Sequence, residues 1–144
     1  MHRDVSQLPP EIIVLVLMLV TATGVATIFI VLIRNSRRLA PEEVGLTPIL
    51  SEICGGRIGH IKYTTPFVRV TLYQSLLVVA ARRTIVLRAG QIERIVFERD
   101  RRSAALGKTV NIHHSSSAVR SPICLYSSSG ADLARRLGVI TTHR

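Results

Sequence analysis

The chain has 144 residues, 47% of them hydrophobic, and its mean hydropathy of +0.34 is too high for an ordinary soluble domain. One run, residues 12–33, carries the excess, and the roughly 100 residues beyond Leu39 leave room for one small domain but not a second. The formal charge is +10, from 19 Lys and Arg against 9 Asp and Glu; nucleic acid is disfavoured as its partner because the arginines are scattered, aromatics make up 4% and Trp is absent, which leaves few stacking platforms.

Residues 1–11 form a short, near-neutral tail in which Arg3 stands against Asp4 and Glu11, so the basic character belongs to the chain from Arg34 onward. Pro9 and Pro10 suit a helix start because their missing N–H groups are not needed in the first turn, and Glu11 complements the positive end of the helix dipole. Residues 12–33 contain no charge, no proline and one glycine. At 1.5 Å rise per residue they extend roughly 33 Å, slightly more than the hydrocarbon thickness of a bilayer. The expectation is an uncleaved transmembrane helix, because a signal peptide would have a positive n-region and a shorter apolar core. Arg34, Arg37 and Arg38 crowd its C-terminal end while Arg3 alone lies on the other side, which places the N-terminus outside and the C-terminal domain in the cytoplasm. Thr21, Ala22, Thr23, Gly24, Ala26 and Thr27 form a small-residue patch with the spacing that lets a second helix approach closely.

Residues 34–56 read as a basic juxtamembrane connector, interrupted by Pro41, Gly45 and Pro48, with Pro41-Glu42-Glu43 starting a short helical turn. Gly55-Gly56-Arg57-Ile58-Gly59 lacks the lysine of a phosphate loop and reads as a turn entering the first strand. From residue 57 onward the pattern becomes short β-branched runs with period-two alternation. Val68, Val70 and Leu72 make an apolar face against Arg69, Thr71 and Tyr73. Turns are expected at Gln74-Ser75, Arg82-Arg83 and Ala89-Gly90, and residues 99–107 read as a charged loop. Val110, Ile112 and His114 share one face of a later strand, and Ile123 and Leu125 lie on the next. A closing helix holds Leu133 and Leu137, with Ser128 or Ser129 as its cap and Gly138 as its stop. The count is about seven strands and one short helix, and curling the sheet into a small barrel or sandwich with the helix over one open end hides most of its edges.

The chemistry-bearing residue types do not assemble into a site on the sequence. His113 and His114 are adjacent on a strand and point to opposite faces, so they cannot share a metal without distortion. Ser115-Ser116-Ser117, His114 and Asp132 supply the residue types of a hydrolase triad without a nucleophile elbow. Cys54 and Cys124 are far apart, flank no metal-ligand spacing and suit a reducing compartment.

The runs "VRVTLYQSLLVVA", "TIVLRAGQIERIVFER", "VNIHH" and the closing "PICLYSSSGADLARRL" give residues 58–137 an order of elements that resembles the pleckstrin-homology-like (PH-like) fold, in particular small bacterial PH-like domains attached to membrane helices. The resemblance implies a seven-stranded antiparallel barrel or sandwich with a C-terminal α-helix across residues 57–144, a bacterial cytoplasmic membrane, and a scaffold for protein or lipid contacts rather than an active site. Phosphoinositide-binding PH domains use basic residues in and beside the first hairpin loop. That loop reads here as Gln74-Ser75, short and uncharged, so a diffuse anionic-lipid contact is expected in place of an inositol-phosphate pocket.

The combined expectation is a non-catalytic, single-pass accessory or scaffold subunit of a larger membrane complex, respiratory, photosynthetic or transport. Its contacts to partner subunits and anionic headgroups fall to Arg34, Arg37, Arg38, Arg69, Arg82, Arg83, Arg101 and Arg102. No cofactor, metal, nucleic acid or small-molecule substrate is expected. The alternative is a peripheral anionic-lipid sensor without a fixed protein partner.

Overall fold

Helix α1 runs Pro10–Arg37 without interruption, with proline in its first turn, Glu11 near its N-terminus and Arg34 and Arg37 in its last turn. It is long and apolar enough to cross a membrane, and nothing among the described residues covers its most apolar stretch. The computed structural model describes residues 9–98 and 108–142, with side chains to residue 138. The threonines of the small-residue patch turn their hydroxyls back onto their own helix. Thr21 Oγ1 donates to the Leu17 and Met18 carbonyls, Thr23 to Leu19 and Thr27 to Thr23. None of these three hydroxyls needs a neighbouring helix for its hydrogen bond.

A 3₁₀ turn at Pro41–Glu43 leads into seven strands: β1 (Leu50–Ile58), β2 (Ile61–Leu72), β3 (Leu76–Ala80), β4 (Thr84–Arg88), β5 (Ile92–Glu98), β6 (Lys108–His114) and β7 (Ile123–Ser127). Helix α2 (Gly130–Thr142) follows. The strands form one antiparallel sheet in the order β4-β3-β2-β1-β7-β6-β5, curled into a half-barrel. This is the mainly-β domain with a terminal helix that the alternation implied. Its concave face is filled by Val68, Val70, Leu72, Leu77, Val79, Leu87, Val110, Ile112, Ile123 and Leu125, closed by Leu133 and Leu137 of α2.

Three sequence expectations shift. Strand β1 begins at Leu50, inside the residues read as connector, and Gly55-Gly56 belong to it instead of to a turn. A bulge between Cys54 and Gly56 bends β1 so that it pairs with β2 on one side and β7 on the other, and a Cβ at Gly56 would lie 2.6 Å from the Cys124 carbonyl oxygen. The glycine serves close backbone approach, and the turn comes later at Gly59, whose φ of +61° is left-handed. Helix α2 also runs through Gly138 to Thr142. Docking of Leu133 and Leu137 into the core offsets a glycine penalty of about 1 kcal/mol.

The third shift concerns the polar face of β2. In the register, Arg69 pairs with Ala80 and Thr71 with Val78, so these four residues share the convex face, opposite the core face of Val68 and Val70. All four are nonetheless buried, because the end of α1 and the segment after it lie across them. That cover is why β3 is buried on both faces, unlike an ordinary half-exposed strand.

Candidate functional site

Two features stand out beyond the core: a buried ionic latch joining α1 to the sheet, and a basic open end of the half-barrel. At the latch, the Arg69 guanidinium uses all three nitrogens. Nε donates to the Ser36 carbonyl (2.9 Å), Nη2 to the Arg38 carbonyl (2.8 Å) and to Glu43 Oε2 (2.7 Å), and Nη1 to Glu43 Oε1 (2.7 Å) and Thr71 Oγ1 (2.8 Å). The Tyr73 hydroxyl donates to Glu43 Oε1 and the Ala40 amide to Oε2. Burial by itself would raise the Glu43 carboxyl, but the bonds from Arg69, Ala40 and Tyr73 outweigh it and hold the group below the usual glutamate range. Two of the accepting carbonyls lie at the helix terminus, where intrahelical partners run out, so the bidentate arginine caps α1 from a neighbouring strand. About two turns before Ser36, the Phe29 ring meets Phe67 of β2 edge to face, with centroids 4.7 Å apart. The helix end is held at two points.

These contacts remove Arg69 from the expected headgroup set. Its side chain is 10% exposed and fully engaged with protein acceptors, so it cannot reach a lipid or a partner. Arg34, Arg37 and Arg38 remain exposed around the helix exit, as do Arg82 and Arg83 on the β3–β4 turn. Arg101 and Arg102 lie outside the described residues.

The basic open end is built by three connections: the β1–β2 hairpin at Gly59-His60, the β3–β4 turn and the β6–β7 segment. The first hairpin is thus Gly59-His60 and not Gln74-Ser75, which joins β2 to β3. This hairpin is flanked by exposed Arg57 and Lys62, and Arg82, Arg83 and Arg120 are exposed on the other two connections. Two cavities open here. One, about 310 Å³, is bordered by Arg57, His60, Arg120 and Ser121. The other, about 350 Å³, has Ile58, Ile61, Tyr63, Ile85 and Val119 in its walls with Arg82, Arg83 and Thr84 beside them. Sequence reading missed Arg57, His60, Lys62 and Arg120. The glycine before His60, between two basic residues, is the available signal, but reading all of Gly55-Gly56-Arg57-Ile58-Gly59 as one turn ahead of the first strand hides it.

No protein-family model, curated protein or solved structure matches the chain.

At the other end of the half-barrel, Glu52 ties β1 to the start of α2. Its carboxylate accepts the hydroxyls of Ser127 (2.5 Å), Ser128 (3.0 Å) and Ser129 (2.5 Å) and the amides of Ser128 and Ser129. Burial opposes ionisation, yet the three serine hydroxyls prevail and Glu52 sits below the usual glutamate range. The serine hydroxyls expected to cap α2 are directed to Glu52, while the Ser129 carbonyl accepts from the Asp132 and Leu133 amides as the helix begins. Asp132, one of the triad residue types, pairs with Arg135 and with Arg136 (2.9 Å) on the surface of α2.

His113 and His114 do face opposite sides of β6. His114 is 3% exposed, and neither ring nitrogen finds a hydrogen-bond partner among the described residues. Burial pushes its pKa down, so the folded protein holds it neutral where the unfolded chain would take up a proton. Stability is therefore expected to fall as pH drops below the ordinary histidine range. Urea unfolding of wild type and His114→Phe at pH 7.5 and 5.5 checks this: the wild type loses more stability between the two than the variant does. Both cysteines are buried and free, and burial, then the Glu52 charge, pushes the Cys54 thiol up to about 12, making it an inert core group.

Proposed function

We propose that the chain is a non-catalytic, single-pass membrane accessory protein whose PH-like domain is held against the cytoplasmic leaflet and presents its basic open end to anionic headgroups and neighbouring subunits. The curled seven-stranded sheet with its closing helix is compatible with a PH-like fold. The observation that carries the reading is the two-point attachment of β2 to the end of α1, through Phe29–Phe67 and through Arg69 to Ser36 and Arg38. Along this attachment β2 and α1 run in the same direction. Residues before Phe67 on β2, and after Ala80 on the antiparallel β3, thus extend back toward the apolar part of α1. Phe29 precedes Arg34 by about 7 Å of helix, a depth at which acyl chains meet headgroups. Arg82 and Arg83, two and three residues past Ala80, are exposed on the turn at that end of the sheet.

Such an arrangement gives each exposed juxtamembrane arginine roughly 1 kcal/mol of attraction to an anionic surface. The positive-inside asymmetry agrees in sign, since the same arginines set the cytoplasmic side. Hydrogen exchange on the full chain in nanodiscs tests the reading. The β1–β2 hairpin and the β3–β4 turn should be protected in phosphatidylglycerol relative to phosphatidylcholine at low salt. Arg57→Glu with Lys62→Glu, Arg82→Glu and Arg83→Glu should remove the difference. Equal exchange in both lipids in the wild type overturns the headgroup contact. Gentle detergent purification with α1 intact tests the accessory role: a chain that emerges alone and monodisperse counts against partner subunits.

A further inference from the structure

The half-barrel has two outer strands, and their edges differ. Strand β5 is irregular, with a register shift between Ile92 and Arg94; it carries Glu93, Arg94 and Glu98, and α2 packs against it. Strand β4 pairs with β3 over five consecutive residues, Thr84 to Arg88, with no bulge, proline or inward charge, so only its terminal arginine blunts that edge. The hydrogen-bonding phase of β4 is fixed at both ends: the Ala81 amide donates to the Arg83 carbonyl (3.1 Å) and the Ala89 amide to the Ser75 carbonyl (2.9 Å). Bonded pairs alternate along an antiparallel ladder, so Ile85 and Leu87 bond to β3, while the backbone groups of Thr84, Val86 and Arg88 point away from it. Gln91 Oε1 accepts the Arg88 amide (3.0 Å) and ends the edge there. The outward amides and carbonyls of Thr84 and Val86 have no partner among the described residues.

Resting on the membrane-anchored accessory reading above, we infer that the β4 edge takes, as an added strand, an extended segment of alternating acidic and apolar residues that adjoins the membrane helix of a neighbouring integral membrane protein. Charge complementarity selects an acidic segment. No Asp or Glu occurs from residue 53 to residue 92, and Arg82, Arg83 and Arg88 are exposed at the two ends of β4 with no ion pair among the described residues. The pleat selects alternation: every second side chain of an added strand lies beside buried Ile85 and Leu87, and the others lie on the side of exposed Thr84 and Arg88. Direction selects a membrane neighbour. Strand β4 is antiparallel to β3, and β3 to β2, so β4 runs with β2 and hence with α1. Its edge is therefore presented along the path of a segment that leaves or enters the bilayer beside α1.

The test places one copy of the full chain in a phosphatidylcholine nanodisc with a synthetic polyleucine transmembrane peptide that ends in three Glu-Val repeats; sharing a bilayer raises the effective concentration of the probe. Amide-resolved hydrogen exchange should slow roughly tenfold at Thr84 and Val86 and stay unchanged at Ile85 and Leu87, which β3 already protects. Peptides ending in Glu-Pro repeats, which keep the charge and lose alternate donors, or in Lys-Val repeats should leave all four amides unchanged. Val86→Pro should abolish the slowing at Thr84 and Val86→Ala should retain it, and the Glu-Pro peptide makes the same distinction without altering the protein. Equal slowing by the Glu-Val and Glu-Pro peptides overturns strand addition, equal slowing by the Glu-Val and Lys-Val peptides overturns the acidic partner, and no slowing by any peptide overturns the site. Slowing in nanodiscs that hold two copies and no peptide gives the edge to a second copy and overturns the partner segment. The accessory reading fails separately. A chain that purifies alone yet shows the alternating protection keeps the edge and loses the partner subunit, whereas co-purifying subunits without that protection overturn the edge alone.

Discussion

Arg69→Ala lowers the stability of the β domain by about 3–4 kcal/mol, the largest loss expected from a single surface-proximal substitution in this chain. The variant leaves the Glu43 carboxylate beneath the helix end with only the Ala40 amide and Tyr73 hydroxyl as donors, and strips the Ser36 and Arg38 carbonyls of their partner. Most of that cost is the uncompensated charge, not the worth of the pair. Removing both ions in Arg69→Met with Glu43→Leu should therefore restore much of the stability in urea unfolding. Attachment does not return with it, because methionine cannot donate to the helix carbonyls. Hydrogen exchange over residues 36–44 should thus be fast in the double variant although its unfolding midpoint approaches wild type. A double variant that recovers both would mean that the Phe29–Phe67 contact alone holds the domain to α1. Acid should weaken the same link. Glu43 is held below the usual glutamate range, so its contribution is complete at neutral pH and is lost as pH falls through that lowered value.

Glu52→Ala costs about 2–3 kcal/mol and loosens α2 before the rest of the domain. The Ser127 hydroxyl is fully buried and loses its acceptor outright, whereas the Ser128 hydroxyl is exposed and can turn to water. The carboxylate also accepts the Ser128 and Ser129 amides just ahead of α2, at the end of the helix where negative charge is favoured. Exchange in residues 130–138 should rise more than in β2 and β3, and Glu52→Gln should fall between wild type and alanine because one acceptor oxygen remains. The sign of the pH dependence matches Glu43: the wild type loses this contribution in acid, and the alanine variant, lacking it already, has the shallower acid slope.

The local pattern was readable wherever one physical signal dominated. Period-two alternation in Val68, Val70 and Leu72 names the core face of β2, and the same logic separates His113 from His114. Composition exposes α1, since an apolar run of that length has few alternatives. Glycine carried less information: Gly56, Gly59 and Gly138 serve a close approach, a left-handed turn and a helix interior, and the residue type does not distinguish these roles. Reading residues 55–59 as one turn ahead of the first strand displaces the first hairpin to Gln74-Ser75, and with it the basic residues Arg57 and Lys62.

Arg69 marks the boundary between the two kinds of knowledge. By itself the sequence determined that an apolar helix precedes a basic, mainly-β domain, and that Arg69, Thr71 and Tyr73 share the face of β2 opposite the core, because side-chain direction along a strand follows from backbone geometry. Only the tertiary structure decided that this face is covered by the end of α1, that Glu43 lies within reach of Arg69, and that three separate connections meet around one cavity. Alternation reports which side of a strand a residue occupies. It holds no record of what distant segment will lie on that side, since those contacts join residues 26 to 33 apart through space and not along the chain.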